Sequence, residues 1–574
     1  MHQTSERLGA HTPSIGVLLD CMGDPYPAAV LRGLQAAAAS GGARLLCFVG
    51  GPLPTDPSHT SGRHQAYELC GPRNVDGVVV LGSTLIHDVG QRALHRYCAR
   101  YRALPLCSIG VELDGWPSVT IDNEVGMERV LEHLIREHGA HRIAFVRGPL
   151  ANAEADLRLA AYQNTLARHG LPFDEQLVVA GNFMAESGAD AVEALSGLPG
   201  LRLDALDAIA ASNDAMAMGV LAGLDRHDIA VPGQLAVIGF DDVEDARLTQ
   251  PPLTTVRQPL ERLGREAVRI ALEWIRHGAP PASCQLGTEP VIRRSCGCTQ
   301  PSGRAGPSLG PERSLGFEAA LLMKRERILG ELTRAAGAAV DVAGVDWADR
   351  LLGALIADLR NAEPAAFLNA FDGLIERLLT GGADVNACHD VLGALRAQVV
   401  PILRSDRARS ERAEDLFHLC RVATSQGMQR RLMRERLTHG RFSRTLNATC
   451  SALASSVEAA ELEARVLDLL PNLGISGCMV AVYDRSRPGE ARLACGYDAR
   501  GPASARGASF DASLLVPGGV AASGRAGSHV VLPLVFRERN LGHMLLELDL
   551  AHTDAYSPLA NAIGVALHGR AVTP

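Results

Sequence analysis

Polar side chains that can bind hydroxyl groups follow several short apolar segments in the first half of the chain. Asp20 and Asp24 follow the first such segment, Asn213 follows a later one, and Asp241 follows another. A carboxylate accepts hydrogen bonds from more than one hydroxyl group, and an amide both donates and accepts. Arg158, in a segment of helical character, could add a fork of N–H donors. These residue types suit a small polar ligand such as a sugar.

The elements that position these residues are predicted to be parallel strands that alternate with helices. Ala- and Leu-rich segments of helical length, such as 28–40 and 126–138, separate nearly continuous apolar runs. Strands that are buried on both faces form parallel sheets covered by helices, and ligands bind beyond the carboxyl ends of such strands. We therefore predict an α/β fold with two lobes. The predicted strands are 14–20, 43–49, 76–81, 104–109, 141–146, 207–212 and 235–240.

Composition and periodicity divide the chain into five predicted segments. Residues 1–13 are polar and are predicted to be a disordered N-terminus, and residues 14–298 form the α/β ligand-binding domain. Residues 299–311 are rich in Gly, Pro and Ser and are predicted to be a linker. Residues 312–439 have apolar side chains at helical spacing, which predicts a helical signalling or dimerisation region. Residues 440–574 are predicted to form an α+β domain.

Composition also excludes several classes of protein. A formal net charge of −8 argues against a broad phosphate-binding surface. Lys324 is the only lysine, so an enzyme that needs a P-loop, Schiff-base or kinase lysine would have to use that residue. The chain shows neither a signal-peptide pattern nor a run of about 18 apolar residues, so we expect a cytoplasmic protein without membrane contact. Thirteen cysteines, an odd number, indicate reduced thiols rather than a disulfide framework.

Two groups of potential metal ligands stand out. His133, His138 and His141 lie close together, but their spacing is not the His-Glu-x-x-His pattern of zinc proteases. Cys296 and Cys298 form a pair, but no second cysteine pair lies nearby at zinc-ligand spacing. We therefore expect no metal and no cofactor. The chain also lacks a nucleophile elbow and a dinucleotide fingerprint, so we expect no catalytic residues and no enzyme activity.

Five motifs in order resemble the effector-binding domain of the lactose/galactose repressor (LacI/GalR) family. The resemblance implies a periplasmic-binding-protein-like fold, in which two lobes close on a small effector that is often a sugar or a purine-like molecule. It also implies side-by-side dimerisation, so a homodimer is expected. The five motifs are 156–162, 210–219, 236–242, 251–258 and 292–298. The second contains Ser212-Asn213-Asp214, and the third contains Phe240-Asp241-Asp242.

The resemblance extends to single positions of the ligand site. Positions that match Arg158, Asn213 and Asp241 typically contact the effector, and a ring at the position of Phe183 often stacks on it. Gln258 ends a segment that matches a crossover between the lobes. As alternatives, Asn213 and Asp241 could cap strand ends, Phe183 could belong to a lobe core, and Arg158 could form a surface ion pair. The predicted ligand-binding residues are Asp20, Asp24, Arg158, Phe183, Asn213, Asp241 and Gln258.

The N-terminus departs from the family pattern. Family members have a DNA-reading helix-turn-helix and a hinge helix before this domain, whereas 13 residues precede Ser14 here. We therefore expect DNA contact only through a partner or through an output domain beyond the end of the chain.

Residues 440–574 resemble a GAF domain, mainly in Leu532-Pro533-Leu534-Val535-Phe536 and the segment 541–547. The resemblance implies a module for dimerisation and relay, with a chromophore or cyclic-nucleotide pocket as the alternative. The predicted elements are a helix over 444–470, a strand over 478–484, a hairpin of 529–536 and 541–548 with its turn at 537–540, and a helix over 555–567.

Together these features predict a ligand-sensing regulator of transcription that is not an enzyme. The effector would close the lobes, and the change would pass through the helices 312–439 to the GAF-like module. The alternatives are a solute-binding protein of a transport system, which the N-terminus argues against, and a sensor subunit of a kinase or cyclic-di-GMP pathway.

Overall fold

The computed structural model describes residues 12–54, 61–86, 89–150, 152–298, 316–360, 366–519 and 527–572. It contains two compact units, of which the first joins Met1–Thr299 with Thr445–Pro574 and the second is Gln300–Arg444. The last part of the chain therefore groups with the ligand-binding part rather than with the helical segment that precedes it in sequence. The predicted five-segment division itself stays a prediction.

Short strands alternate with helices through most of the first unit. The strands are β1 (Ser14–Leu19), β2 (Arg44–Val49), β3 (Gly77–Leu81), β4 (Leu106–Ile109), β5 (Ser118–Ile121), β6 (Ile143–Arg147), β7 (Val178–Ala180), β8 (Ala208–Ala211), β9 (Ala236–Ile238), β10 (Thr255–Arg257), β11 (Cys284–Leu286), β12 (Glu289–Val291), β13 (Cys478–Tyr483), β14 (Glu490–Asp498), β15 (Gly501–Pro502), β16 (Ser509–Asp511), β17 (His529–Phe536) and β18 (Arg539–Glu547).

The helices within the described ranges are numbered in chain order. They are α1 (Pro25–Ser40), α2 (Gln65–Glu68), α3 (Gly82–Leu85), α4 (Gly90–Cys98), α5 (Asn123–His138), α6 (Ala153–Arg168), α7 (Ala185–Ser196), α8 (Asp214–Arg226), α9 (Leu260–His277), α10 (Phe317–Met323), α11 (Arg325–Ala336), α12 (Val340–Ala343), α13 (Trp347–Arg360), α14 (Ala366–Thr380), α15 (Ala387–Leu403), α16 (Arg407–Ala454), α17 (Ala459–Leu469) and α18 (Thr553–Val572).

The ligand-binding part has the two predicted lobes of parallel sheet. The first lobe has the strand order β2-β1-β3-β4-β5-β11, and the second has the order β7-β6-β8-β9. The chain crosses between the lobes after β5, after β10 and after β11, so that α9 packs on α1 of the first lobe. That packing is close, since a Cβ on Gly33 would lie 1.9 Å from the carbonyl oxygen of Glu261. The α/β prediction is confirmed.

All seven predicted strands are present, with ends that differ by up to two residues. The sequence analysis did not identify the strands β5, β7, β10, β11 and β12, which have only three or four residues each. Such short segments show no hydrophobic periodicity, because alternation needs about four residues or more before it can be recognised. Tertiary pairing defines these strands, most of them near the crossovers between the lobes.

The C-terminal part of the first unit is an antiparallel sheet with helices. The strand order is β17-β18-β13-β14, and β15 and β16 both pair with β14. The predicted hairpin 529–548 is present, with its turn at Arg537, where φ is 53°. The segment 444–470 is helical as predicted except for a break, because the chain extends at Glu458 between α16 and α17. The Val457 N–H donates to Glu461 Oε2 at 3.0 Å and so links the residue before the break to the first turn of the second helix.

One continuous sheet joins this C-terminal part to the first lobe. Strand β17 pairs in parallel with β2, the outer strand of that lobe, through His529 with Leu46, Val530 with Cys47 and Val531 with Phe48. The Leu45 N–H also donates to Ser528 Oγ at 3.1 Å. Because an unpaired strand edge exposes a row of backbone donors and acceptors, this pairing removes a site of unwanted association.

A shared hydrophobic core lies beneath this junction. It combines Leu46 and Phe48 of the first lobe with Val531 and Leu545 of the C-terminal part, all at most 1% exposed. Polar contacts add to it at the rim, where Asn74 Nδ2 donates to the Ser513 carbonyl at 2.8 Å. The two parts therefore exclude water together and are expected to unfold together.

The second unit consists of helices around its own apolar core. Phe367 packs near Phe371 and edge-on to Phe417, with ring centroids 6.3 and 6.1 Å apart. The buried Asp358 carboxylate accepts the N–H groups of Ala366 and Phe367 at 3.1 and 2.8 Å, which caps α14. The predicted boundary at 439/440 falls inside α16, which runs through it without a break.

None of the helices in the described ranges is long and apolar enough to cross a membrane.

The substitution Val531→Asp is expected to loosen both partners of the junction, because it places an unpaired carboxylate in their shared core. Backbone amides of β2 should exchange with solvent at least about tenfold faster, which corresponds to about 1.4 kcal/mol of local stability. Hydrogen-exchange mass spectrometry measures this, with Val565→Asp as the control because Val565 is 42% exposed. Unchanged protection of β2 in Val531→Asp would contradict a shared core.

Candidate ligand-binding site

A cavity of about 570 Å³ lies where the two lobes face each other. Its volume falls within the range of small-molecule sites, which is about 300–1,000 Å³. All seven ligand-binding residues predicted from the sequence line it: Asp20, Asp24, Arg158, Phe183, Asn213, Asp241 and Gln258. They come from six separate segments of the chain, so only the folding of both lobes brings them together.

The first lobe contributes the loop that follows β1 and the start of α1. Asp20 directly follows the last residue of β1. The exposed Asp24 carboxylate accepts a hydrogen bond from the Cys21 thiol at 3.2 Å. Tyr26, which the sequence analysis did not select, lines the cavity with its hydroxyl 3.2 Å from Ser83 Oγ. Burial raises the pKa of Tyr26, so its hydroxyl stays protonated and can donate a hydrogen bond.

Arg158 is the central cation of the cavity and is only 3% exposed. Its Nε donates to Asn123 Oδ1 at 2.8 Å, and its Nη1 donates to the Ser212 carbonyl at 2.7 Å. Its guanidinium also lies over the Phe240 ring, 3.9 Å from the centroid. These contacts fix the planar group and exclude the alternative of a surface ion pair.

Glu154 is a buried carboxylate of the cavity that the sequence analysis missed. Its Oε1 lies 3.9 Å from Arg158 Nη2, and both side chains are at most 8% exposed. Burial raises the pKa of Glu154, although Arg158 and a hydrogen bond with Asn123 oppose this effect. The spacing of four residues to Arg158 on α6 was the signal that could have identified it.

Asp241 and Gln258 form a buried polar pair that also lines the cavity. Gln258 Nε2 donates to Asp241 Oδ1 at 2.5 Å. The φ of Asp241 is 132°, a strained value that its backbone hydrogen bond to Val256 at 2.8 Å helps to maintain. Burial raises the pKa of Asp241 well above its ordinary value, while Arg158 opposes the shift.

Gln258 keeps one acceptor available. Its Oε1 is buried and has no hydrogen-bond partner among the residues that the structure describes. A buried polar atom without a partner costs free energy, and such atoms concentrate where a ligand binds. The Gln258 carbonyl is therefore a site for a hydroxyl or amino group of a ligand.

Asn213 and Phe183 are fixed to each other at the cavity wall. Asn213 Oδ1 accepts the Met216 N–H at 3.0 Å, which caps α8, and its Nδ2 donates to the Phe183 carbonyl at 3.0 Å. Asn213 thus has the capping role that the sequence left as an alternative, and it also lines the cavity. Phe183 has a φ of 68°, and its ring covers Gly148, where a Cβ would lie 2.4 Å from Cε1.

Two acidic neighbours in the same motifs point away from the cavity. Asp214 accepts Thr255 Oγ1 at 2.5 Å and the Val243 N–H at 3.0 Å, and burial raises its pKa to about 7. Asp242 is paired with Arg257 at 2.7 Å and also with Arg293. Asp214 and Asp242 are therefore structural, whereas the residues that precede them face the ligand space.

The comparisons with known proteins concern the same part of the chain. The family described as the periplasmic binding protein-like domain matches residues 131–296. The HTH-type transcriptional repressor CytR of Escherichia coli (strain K12) is 30% identical over 291 residues, which cover 49% of this chain and 79% of that protein. The ribose operon repressor of the same strain is 32% identical over 266 residues, which cover 46% and 76%.

Among solved structures, a LacI family transcriptional regulator from Mycobacterium smegmatis is 25% identical, with a TM-score of 0.43. The match covers 49% of this chain and 98% of that one. The relatives are named as transcriptional repressors and not as enzymes. Through its periplasmic-binding-protein-like domain, this chain belongs to the LacI/GalR family of transcription regulators.

Proposed function

We propose that this chain is an effector-sensing regulator of transcription and that the cavity between its lobes binds a small polar effector. The observation that supports this most directly is the buried set of Arg158, Asp241 and Gln258 around one enclosed space. Buried charges and an unused acceptor are costly in an empty cavity, whereas a bound polar ligand would satisfy them.

The arrangement of the cavity favours a sugar or a nucleoside. Carboxylates of Asp24, Glu154 and Asp241 can accept hydroxyl groups, and the Arg158 guanidinium can donate to a ring oxygen. The Phe183 ring offers an apolar face for the C–H side of a pyranose or furanose, or for a base. No side chain of this set needs a metal or a cofactor for such binding, and we propose none in this cavity.

Effector binding would act by selecting a closed arrangement of the lobes. Asp20 and Asp24 approach the cavity from the first lobe, whereas Arg158 and Asn213 belong to the second. A ligand that contacts both groups binds the closed form more tightly and so shifts the population towards it. The three crossovers would act as the hinge.

The C-terminal α+β part is proposed to be the GAF-like module that receives this change. Its strand order, with β17 and β18 beside β13 and β14, and its flanking helices support that assignment. The pairing of β17 with β2 offers a route from the first lobe that does not require the helices 312–439, although those helices remain part of the proposed relay. We further propose a cytoplasmic homodimer, with DNA contact through a partner or another part of the protein.

The substitution Asp241→Ala is expected to weaken effector binding at least about tenfold, because a hydrogen bond to a charged group contributes about 1.5–3 kcal/mol. A thermal-shift screen with ribose, hexoses, polyols and nucleosides identifies the ligand on the unaltered chain, and isothermal titration calorimetry then compares the variant. Asp225→Asn, at an exposed position on α8, is the matched control.

Circular dichroism of Asp241→Ala should match that of the unaltered chain, since the freed Gln258 Nε2 faces the cavity and can bind water. If the variant is folded and binds the ligand as tightly as the control, Asp241 is not an effector contact. Absence of any ligand across these classes would contradict the sugar or nucleoside assignment.

Effector binding is expected to release protons. Burial raises the pKa of Asp241 and of Glu154 in the free cavity, and ligand hydroxyls that donate to the ionised carboxylates would lower both values again. The affinity for the effector should therefore rise with pH between the pKa values that these carboxyl groups have in the complex and those that they have in the free protein. Above the pKa values of the free protein the affinity should level off. Calorimetry in two buffers of different ionisation enthalpy measures the number of protons released on effector binding. A net uptake of protons would contradict the prediction.

The relay across the junction is expected to appear as slower hydrogen exchange in β17 when the effector binds. The backbone amides of His529–Phe536 should gain protection together with those near Asp20 and Asp24, whereas α17 serves as the internal control. Hydrogen-exchange mass spectrometry with the ligand from the screen measures it. Protection confined to the cavity segments would remove the junction from the relay.

A further inference from the structure

Two histidines and two cysteines that are far apart in sequence meet at one point of the second lobe. His133 and His138 lie on α5, and Cys296 and Cys298 lie in the turn that follows β12 at the end of the ligand-binding part. One ligand atom from each side chain can be chosen so that all four lie within 4.8 Å of one another. Cys296 is buried, and His133 and Cys298 are half-buried.

The local backbone presents these four side chains to a common centre. His138 is the last residue of α5, which Gly139 ends with a φ of 65°. Between the cysteines, Gly297 has a φ of 104°, which favours glycine, and a Cβ there would lie 3.2 Å from His138 Cε1 and Nδ1. The absence of a side chain at Gly297 lets the cysteine turn approach the end of the helix.

Four of the six distances between the ligand atoms are close to those in a tetrahedral metal site, and all four atoms lie within 4.8 Å of one another. The two Nε2 atoms of His133 and His138 are 3.3 Å apart, and Cys298 Sγ lies 3.4 Å from each of them. Cys296 Sγ lies 3.6 Å from His133 Nε2. A tetrahedral zinc centre with Zn–N of about 2.0 Å and Zn–S of about 2.3 Å separates N from N by about 3.3 Å and N from S by about 3.5 Å.

The Cys296 thiol can donate to the Arg293 carbonyl at 3.3 Å, but the contacts around His133 Nε2 exceed what hydrogen bonds can satisfy. His133 Nε2 faces His138 Nε2 and both cysteine sulfurs at contact distance. A ring nitrogen has either one hydrogen to donate or one lone pair to share, so it can satisfy at most one of the three neighbours well. A cation at the common centre satisfies all four atoms at once.

We propose that His133, His138, Cys296 and Cys298 bind one Zn²⁺ ion. Two thiolates and two imidazoles in tetrahedral positions are the donor set of structural zinc, and four protein ligands leave no open position for a substrate. The two histidines have the His-x₃₋₅-His spacing of zinc-binding proteins, with four residues between them. The site is structural and is independent of the effector cavity.

The proposed site differs from the expectation of no metal that was drawn from the sequence, which stays a prediction. That expectation compared the histidines with the protease motif and sought a second cysteine pair near Cys296 and Cys298. The pair that completes the site is instead the two histidines on α5, which precede Cys296 by more than 150 residues. His141, the third histidine of that group, lies outside the cluster of four.

The ion would fix the exit of the ligand-binding domain to its second lobe. Cys298 is the last described residue before Gln300, where the second compact unit begins. The ligands would tie that exit to α5, whose other end provides the Asn123 that holds Arg158. Zinc binding would therefore stabilise the segment after β12, which contains Cys296 and Cys298 and lies outside the strands.

The first test is the metal content of the full-length chain, purified under reducing conditions without chelators. Inductively coupled plasma mass spectrometry should find about one zinc per chain. The double variant Cys296→Ser with Cys298→Ser should retain less than about a tenth of it. Cys284→Ser with His141→Ala is the matched control, since neither residue belongs to the cluster, and it should keep the full zinc content.

The second test uses the unaltered chain alone, so that it remains decisive if the double variant does not fold. After chelation of the native ion, titration with Co²⁺ should give the visible bands of a tetrahedral, thiolate-ligated cobalt that saturate at one equivalent per chain. Zinc added afterwards should abolish these bands, because it binds thiolate and imidazole sites more tightly than cobalt does.

Three results would overturn the proposal. One is the absence of both zinc and tetrahedral cobalt bands in the unaltered chain. Another is a full zinc content in the folded double cysteine variant. The third is a disulfide between Cys296 and Cys298, which thiol titration of the denatured protein would reveal as two missing thiols.

Discussion

The open edge of a parallel sheet is the constraint on which much of this structure depends. In the first lobe, β2 is an outer strand with every side chain buried, so its free edge would expose backbone donors and acceptors next to apolar surface. Strand β17 covers that edge from almost 500 residues away in sequence. The junction therefore protects the lobe and at the same time attaches the C-terminal α+β part to the neighbour of β1, the strand whose following loop lines the cavity.

In the cavity, the cost of burying carboxyl groups is opposed by the positive charge of Arg158. Arg158 is held by Asn123 and the Ser212 carbonyl, so its position does not rely on the carboxylates around it. Burial raises the pKa of Glu154 and Asp241 more than Arg158 lowers it. In the proposed complex, ligand hydroxyl groups would replace the solvation that both carboxylates lost.

Neighbouring residues of one motif have different contacts because the backbone directs their side chains to different sides. Asp241 faces the cavity at a φ of 132°, whereas Asp242 turns towards Arg257 and Arg293. Asn213 caps α8 and lines the cavity, whereas Asp214 is buried behind it. The sequence predicted the motifs and the ligand-facing residues, but Glu154 and Tyr26 emerged only from the packing of α6 and α1 around the same space.

The sequence by itself determined the elements whose signal is local. Apolar runs predicted seven strands of the two lobes, and the motifs predicted that Arg158, Asn213 and Asp241 lie around one cavity. Tertiary structure alone decided the short strands, the break before α17, the pairing of β17 with β2 and the meeting of His133 and His138 with Cys296 and Cys298. The physical reason is that two strands pair, and four metal ligands meet, only when the folded chain brings them close together in space. Sequence periodicity reports only which face of a segment is buried.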